Sequence, residues 1–179
     1  MTEAVIGLGS NLDNPEQQVL QALKELDGIP GIRILKTSSL YSSVPVGPQD
    51  QPDFVNAVAL VKTELEPEPL LNALQDLENR HRRVRLRHWG PRTLDLDVLF
   101  FGKRIIDTPR LRVPHPEFRN RVFTVIPLLE IMPDFLMPPE NTPLRDLTGL
   151  LPERDLRALT IIRESSRFPF SSAGKPDLH

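Results

Sequence analysis

The 179 residues, 39% of them hydrophobic, suffice for one sizeable core and are few for two ordinary domains. Lysine and arginine number 22 against 24 acids, so the net charge of −2 provides no overall attraction to nucleic acid or to an anionic membrane, and any anion binding has to be local. The absence of cysteine excludes disulfide frameworks, thiolate zinc sites and cysteine nucleophiles.

The first residues carry an acid and only a short apolar run, unlike a secretory leader, and no stretch approaches the roughly 20 apolar residues of a membrane helix. A cytoplasmic monomer with no nucleic-acid or membrane partner is the expected form. The 19 prolines fall mainly between periodic segments and mark connections.

Residues 4–8 read as a strand entering a turn at Gly9-Ser10-Asn11. Asn14 followed by Pro15 resembles an N-cap with proline at the first helical position, and Val19, Leu20, Leu23 and Leu26 recur at helical spacing until Gly28. Residues 32–41 are extended in character, 44–52 form a proline and glycine loop, and 54–63 read as a long strand. Pro67 and Pro69 open a second helix with a Leu70, Leu71, Leu74 and Leu77 stripe, which leaves Gln75 and Glu78 together on another side.

Residues 80–92 are basic and without periodicity, which predicts an exposed loop. Residues 93–101 alternate, with Leu94, Leu96, Val98 and Phe100 on one face and Asp95, Asp97, Leu99 and Phe101 on the other. Gly102-Lys103 turns the chain so that residues 104–106 can pair back on this strand. Residues 120–131 predict a helix interrupted or begun at Pro127, and 143–151 a shorter one.

The alternation βαββαβ predicts an α+β sandwich with helices packed on a largely antiparallel sheet. Residues 1–163 form the expected single domain, and 164–179, richer in serine, proline and glycine, a loose tail.

Asp95 and Asp97, two apart on a strand, leave the same face at a spacing of about 6 to 7 Å, where their oxygens can converge on one or two cations. A lone Asp-x-Asp is more simply the solvated face of a strand. Here it follows Arg80, Arg82, Arg83, Arg85, Arg87 and Arg92, with His81 and His88. Guanidinium forks suit phosphate oxygens, so acids that hold magnesium beside a cationic loop make a polyphosphate site. A solvated or nucleic-acid-binding basic loop is the competing reading. No phosphate-binding loop, dinucleotide fingerprint, nucleophile elbow or zinc-binding helix motif is present.

The segments from Gly47 to Asn56, Arg83-Val84-Arg85, Trp89-Gly90-Pro91-Arg92-Thr93-Leu94-Asp95-Leu96-Asp97, Val113-Pro114-His115-Pro116 and Asn120-Arg121-Val122-Phe123 resemble the signature segments of the hydroxymethyldihydropterin pyrophosphokinases of folate synthesis. The likeness begins at Gly7-Leu8-Gly9-Ser10-Asn11 and runs in one order to about Pro133. It implies a ferredoxin-like fold and attack by a pterin alcohol on the β-phosphorus of ATP, with release of AMP. It implies further that Asp95 and Asp97 hold two magnesium ions, that Arg83 and Arg92 reach the phosphates, and that Phe54 and Phe123 sandwich the pterin ring.

By the same resemblance Asn56 reads the ring edge, with Ser43, Val46 and Trp89 completing that pocket. Gln75, Glu78, Arg85, Trp89, Arg92, Val98 through its backbone, Arg110, His115 and Arg121 serve ATP. The 80–92 loop is expected to close over both substrates. Phe54 stands where the family often has tyrosine, His88 where arginine occurs, Arg112 where threonine can sit, and Ser43 where threonine is frequent. A nucleic-acid module or a metal-dependent phosphohydrolase are the rival classes. AMP formation from ATP and magnesium, with and without the pterin, separates all three.

Overall fold

Strand β1 (Thr2–Ser10) is buried from its third residue to its last, as only a strand covered on both faces can be. The structure is a computed structural model that describes residues 1–11, 14–43, 53–83 and 94–168. After β1 come α1 (Pro15–Asp27), β2 (Ile32–Thr37), β3 (Leu40–Ser43), β4 (Phe54–Thr63), α2 (Pro67–Arg83) and β5 (Asp95–Phe101). The short pair β6 (Ile106–Asp107) and β7 (Arg112–Val113) precedes α3 (Val122–Ile131). A second short pair, β8 (Leu136–Met137) and β9 (Thr142–Pro143), is followed by a 3-10 helix (Leu144–Leu150), α4 (Glu153–Ala158) and β10 (Thr160–Arg163).

One six-stranded sheet dominates, in the order β10-β3-β4-β1-β5, with β2 also pairing β4, and every pairing in it is antiparallel. The extended stretch predicted over 32–41 is two strands that share β4 as partner. Between them Ser38 donates its N–H to the Val58 carbonyl at 2.8 Å, and its hydroxyl accepts the Val58 N–H at 2.9 Å. A serine side chain thus stands in for a backbone acceptor at the bend, which keeps a buried N–H satisfied.

Two apolar layers sandwich the sheet. On one face Ala4, Ile6, Leu8, Ala57, Ala59 and Val61 meet Val19, Leu23 and Leu26 of α1 and Leu70, Leu74 and Leu77 of α2. On the other, Val5, Val58, Leu60, Leu99 and Phe100 meet Val122, Val125 and Leu128 of α3. Phe100 contacts Phe118 and Phe135 edge-on, each at 4.9 Å between ring centroids. Both helical stripes read from the sequence face the first layer, and the fold is a mixed helix and antiparallel sheet structure.

Several local expectations are corrected. The alternation in β5 breaks at a bulge where Val5 opposes Phe100 but Ile6 opposes Val98. The extra residue, Leu99, lets both Leu99 and Phe100 join the α3 layer, while Phe101 returns to the layer of Leu94, Leu96 and Val98. Residues 104–106 do not pair back on β5; Ile106 pairs with Val113. The outer edge of β5 is taken instead by the Glu78 carboxylate, which accepts the Leu96 N–H at 2.8 Å, and by the His115 N–H, which donates to the Leu99 carbonyl.

Helix α2 continues to Arg83, so residues 80–83 are helical rather than loop. His81 is buried there between Gln18 and Glu25 of α1, at 2.5 and 2.6 Å, and holds the two helices together. Pro127 lies inside α3. Asn14 occupies the N-cap of α1, but in the left-handed conformation (φ 61°) and with no side-chain cap bond. Helix α4 and strand β10 have no counterpart in the sequence reading, and Phe168, placed by composition in the tail, is buried in the α1/α2 layer.

Candidate active site

On the α3 face, the strand positions change character along the sheet. One row pairs Val58, Gly7 and Asp97, and the next pairs Asn56, Gly9 and Asp95. The bulky residues that build the core further along give way to two glycines, an amide and two carboxylates, so the second apolar layer opens into a cavity of about 600 Å3. Its walls are Gly7, Leu8, Gly9, Ser43, Phe54, Asn56, Ala57, Asp95, Asp97, the segment from Asn120 to Thr124, and Asp155 and Ala158 of α4. A concave space with apolar walls and a few convergent polar groups is the usual form of a small-molecule site.

Contact excludes a side chain at Gly9 and crowds one at Gly7. A Cβ on Gly9 would lie 2.7 Å from Asn56 Nδ2, and one on Gly7 would meet Leu99 Cδ1 at 3.3 Å. Asn56 is buried, and its Oδ1 accepts the Ser43 hydroxyl at 3.2 Å. That bond orients the amide with its nitrogen toward Gly9. The carbonyl keeps one further lone pair and the nitrogen its donors, which is what reading a heterocycle edge requires.

Asp95 is exposed and the Asp97 side chain is 45% exposed. His115 Nδ1 accepts the Glu117 N–H at 3.1 Å, which leaves Nε2 as the protonated nitrogen, 4.0 Å from Asp97 Oδ1. His115 is therefore set by its own loop to present a donor beside the carboxylates. Glu78 holds the β5 backbone between them through Leu96. Arg121 stands at the N-cap of α3 with its guanidinium 5.5 Å from the Phe123 ring centroid, and both residues line the cavity. Phe54 and Phe123 are each partly buried there.

Of the residues predicted from sequence, Ser43, Phe54, Asn56, Asp95, Asp97, Arg121 and Phe123 thus meet in one cavity, with His115 beside Asp97. Arg110 and Gln75 do not line it. They form a separate cluster on the exposed side of α2, where Arg110 is bonded to Glu68, Asn72 and Gln75. Val98 points into the α1/α2 core, so only its backbone is available to a ligand. Arg112, where the family can have threonine, pairs with Asp107 at 3.4 Å.

Val46, Arg85, His88, Trp89 and Arg92 lie outside the described residues, as does the Arg83 side chain, and with them the expected closure of the 80–92 loop. Sequence reasoning missed the wall from α4. The available signal was Pro152 followed by acids at Glu153 and Asp155, a helix-start pattern.

Among the described residues no cluster of three or more metal-binding side chains is present. Asp95 and Asp97 remain a pair of hard oxygen donors open to solvent. This fits a magnesium ion, which keeps several waters and takes one or two carboxylates together with substrate phosphates.

The family model described as 7,8-dihydro-6-hydroxymethylpterin-pyrophosphokinase matches residues 5–133. The 2-amino-4-hydroxy-6-hydroxymethyldihydropteridine pyrophosphokinase of Haemophilus influenzae is 51% identical over 138 residues, 77% of this chain and 86% of that protein. The protein of the same name from Pseudomonas aeruginosa is 48% identical over 133 residues, 74% of this chain and 82% of its own. Among solved structures, wild-type HPPK-DHPS of Plasmodium falciparum superposes with a TM-score of 0.64 at 17% identity over 83% of this chain, a likeness of fold alone. This chain spans only 41% of that longer one.

Proposed function

The chain belongs to the 7,8-dihydro-6-hydroxymethylpterin-pyrophosphokinase family, and on that premise we propose how its cavity performs the family's reaction. The chain is an ATP-dependent diphosphotransferase of folate biosynthesis, which moves the diphosphate of ATP to the hydroxymethyl group of 6-hydroxymethyl-7,8-dihydropterin and leaves AMP. The observation that carries the assignment of roles is the shared row Asn56, Gly9 and Asp95 across three adjacent strands. It sets a ring-reading amide and the acidic pair at the two sides of one cleared strip.

In this reading the pterin lies over the glycines with its ring between Phe54 and Phe123, where offset stacking and burial favour a flat heterocycle. Asn56, steadied by Ser43, pairs with the pyrimidinone edge, and Val46 and Trp89 complete the pocket. The hydroxymethyl group is thereby aimed at Asp95 and Asp97. Those two carboxylates would hold two Mg2+ ions, which supply charge neutralisation for the phosphates and a lowered pKa for the alcohol.

His115 and Arg121 donate to phosphate oxygens, and Arg83 and Arg92 do so from the adjoining segment. Gln75, Glu78, Arg85 and Arg110 hold the remainder of ATP, with the edge of β5 at Val98 offering backbone to the adenine. Positioning and electrostatics carry the catalysis, and no protein nucleophile takes part. The same reading takes the central elements, with β1 between β4 and β5, as a ferredoxin-like arrangement of a monomeric enzyme.

The test is AMP release from ATP and magnesium with and without 6-hydroxymethyl-7,8-dihydropterin. AMP that appears only with the pterin is the expected result. Phosphate release without it would assign a hydrolase instead.

A further inference from the structure

Helix α4 lies beyond the residues that the family model matches, 5–133, yet it walls the cavity through Asp155 and Ala158. These two are three apart and share one face, while Leu156, and Leu159 just past the end of the helix, pack into the α3 layer and fix how the helix sits. Strand β10 follows at once and pairs with β3, Thr160 opposite Ser42, so α4 is anchored at the β3 side of the sheet.

The acidic pair stands at the opposite side. Strands β3, β4, β1 and β5 lie in that order, which places Ser43 and Asp95 three strand spacings apart, about 14 Å. The cavity therefore carries carboxylates at both ends, Asp95 and Asp97 at one and Asp155 at the other. The Asp155 side chain is partly buried and has no hydrogen-bond or ion-pair partner among the described residues.

A dihydropterin whose C6 hydroxymethyl group faces Asp95 and Asp97 turns its other end, the 2-amino-pyrimidinone edge, toward Ser43, Asn56 and α4. That edge presents N–H donors at the 2-amino group and at N3. An ionised carboxylate only accepts, so it matches a 2-amino group and repels a carbonyl at the same position. We propose that Asp155 accepts a hydrogen bond from the pterin 2-amino group and makes the enzyme select 2-amino over 2-oxo pteridines.

The inference rests on the functional reading above, and the experiment separates the two. AMP release and KM are measured with 6-hydroxymethyl-7,8-dihydropterin and with its 2-oxo counterpart, for the unmodified protein, Asp155→Ala, Asp155→Asn and Glu153→Ala. Glu153 lies in the same first turn but does not line the cavity, so Glu153→Ala reports any effect of altering the helix start.

Asp155→Ala is expected to raise the pterin KM about tenfold, leave the ATP KM unchanged and reduce the preference for the 2-amino compound by about tenfold or more. Asp155→Asn, which keeps the shape of the side chain and loses its charge, shifts the preference in the same direction. Glu153→Ala leaves all three quantities unchanged. Undiminished 2-amino preference in both Asp155 variants, alongside normal turnover by the unmodified protein, overturns this inference alone. Failure of the unmodified protein to form AMP with the pterin overturns the functional reading and this one with it.

Discussion

Gly9 is buried with Asn56 on one flank and Asp95 on the other, and its missing side chain is what lets the amide of Asn56 occupy the strip between them. A methyl group there would displace Asn56 Nδ2 and disturb the bond from Ser43. Gly9→Ala is therefore expected to weaken pterin binding by about tenfold or more while ATP binding changes little, as titration calorimetry on each ligand would show. Equal losses for both ligands would mean that the strand, and not the amide, was disturbed. Asp95 and Asp97 fill no core. Asp95→Ala and Asp97→Ala should each reduce AMP formation to background while shifting stability by no more than about 1 kcal/mol. Near-normal turnover by either variant would remove the metal assignment.

Among the elements, α3 is fastened to the sheet by one carboxylate. Glu130 accepts the Ser39 N–H at 2.8 Å, the Ser39 hydroxyl at 2.7 Å and the Tyr41 hydroxyl at 2.8 Å. This end of α3 is thus tied to β3 while the other end presents Arg121 and Phe123 to the cavity. Burial, then the bond to Glu130 and its negative charge, push the Tyr41 hydroxyl well above the usual tyrosine range. A folded-state pKa raised in this way contributes stability that is complete below the ordinary value near 10 and is lost as pH rises beyond it. Denaturant titrations should accordingly show stability falling above about pH 10. Tyr41→Phe should flatten that fall and cost about 1 kcal/mol at neutral pH. Because Tyr41 is the chain's one tyrosine, its ultraviolet absorbance reports the ionisation directly. Phenolate appearing at an ordinary pH without loss of structure would contradict the account.

For the whole molecule, the residues after the family match complete the sheet and the cavity. Strand β10 adds the outer strand beside β3, Arg163 pairs with Glu16 of α1, the Ser165 N–H reaches the Ser39 hydroxyl at 3.2 Å, and Phe168 enters the α1/α2 layer. A chain ending at Phe168 is expected to keep its activity and melting temperature. One ending at Arg163 should lose stability comparable to that of Phe168→Ala, about 3 kcal/mol or more for a large buried ring. Calorimetric melting of the full chain, the two truncated chains and Phe168→Ala checks this, and equal stability of the two truncated chains would refute it.

Local sequence alone determined α1, β4 and most of α2, because in the two helices the apolar spacing, the proline at the start and the facing core agree, and in β4 a run of valine and alanine is buried almost throughout. That Asp95 and Asp97 leave one face of β5, and Phe54 and Asn56 one face of β4, was legible from strand alternation, while the roles proposed for them come from the likeness of the signature segments. Tertiary structure decided what depends on partners distant in sequence. The bulge at Leu99 exists because β5 must serve two apolar layers, and the edge of β5 refuses a hairpin because Glu78 and His115 already occupy it. His81 left the basic loop for the α1–α2 contact through partners 56 and 63 residues away. Helix α4 is short, and β10 is largely exposed, so neither carries a strong periodic signal. Their place against β3 supplies the order that their own sequence does not, and with it the cavity wall that holds Asp155.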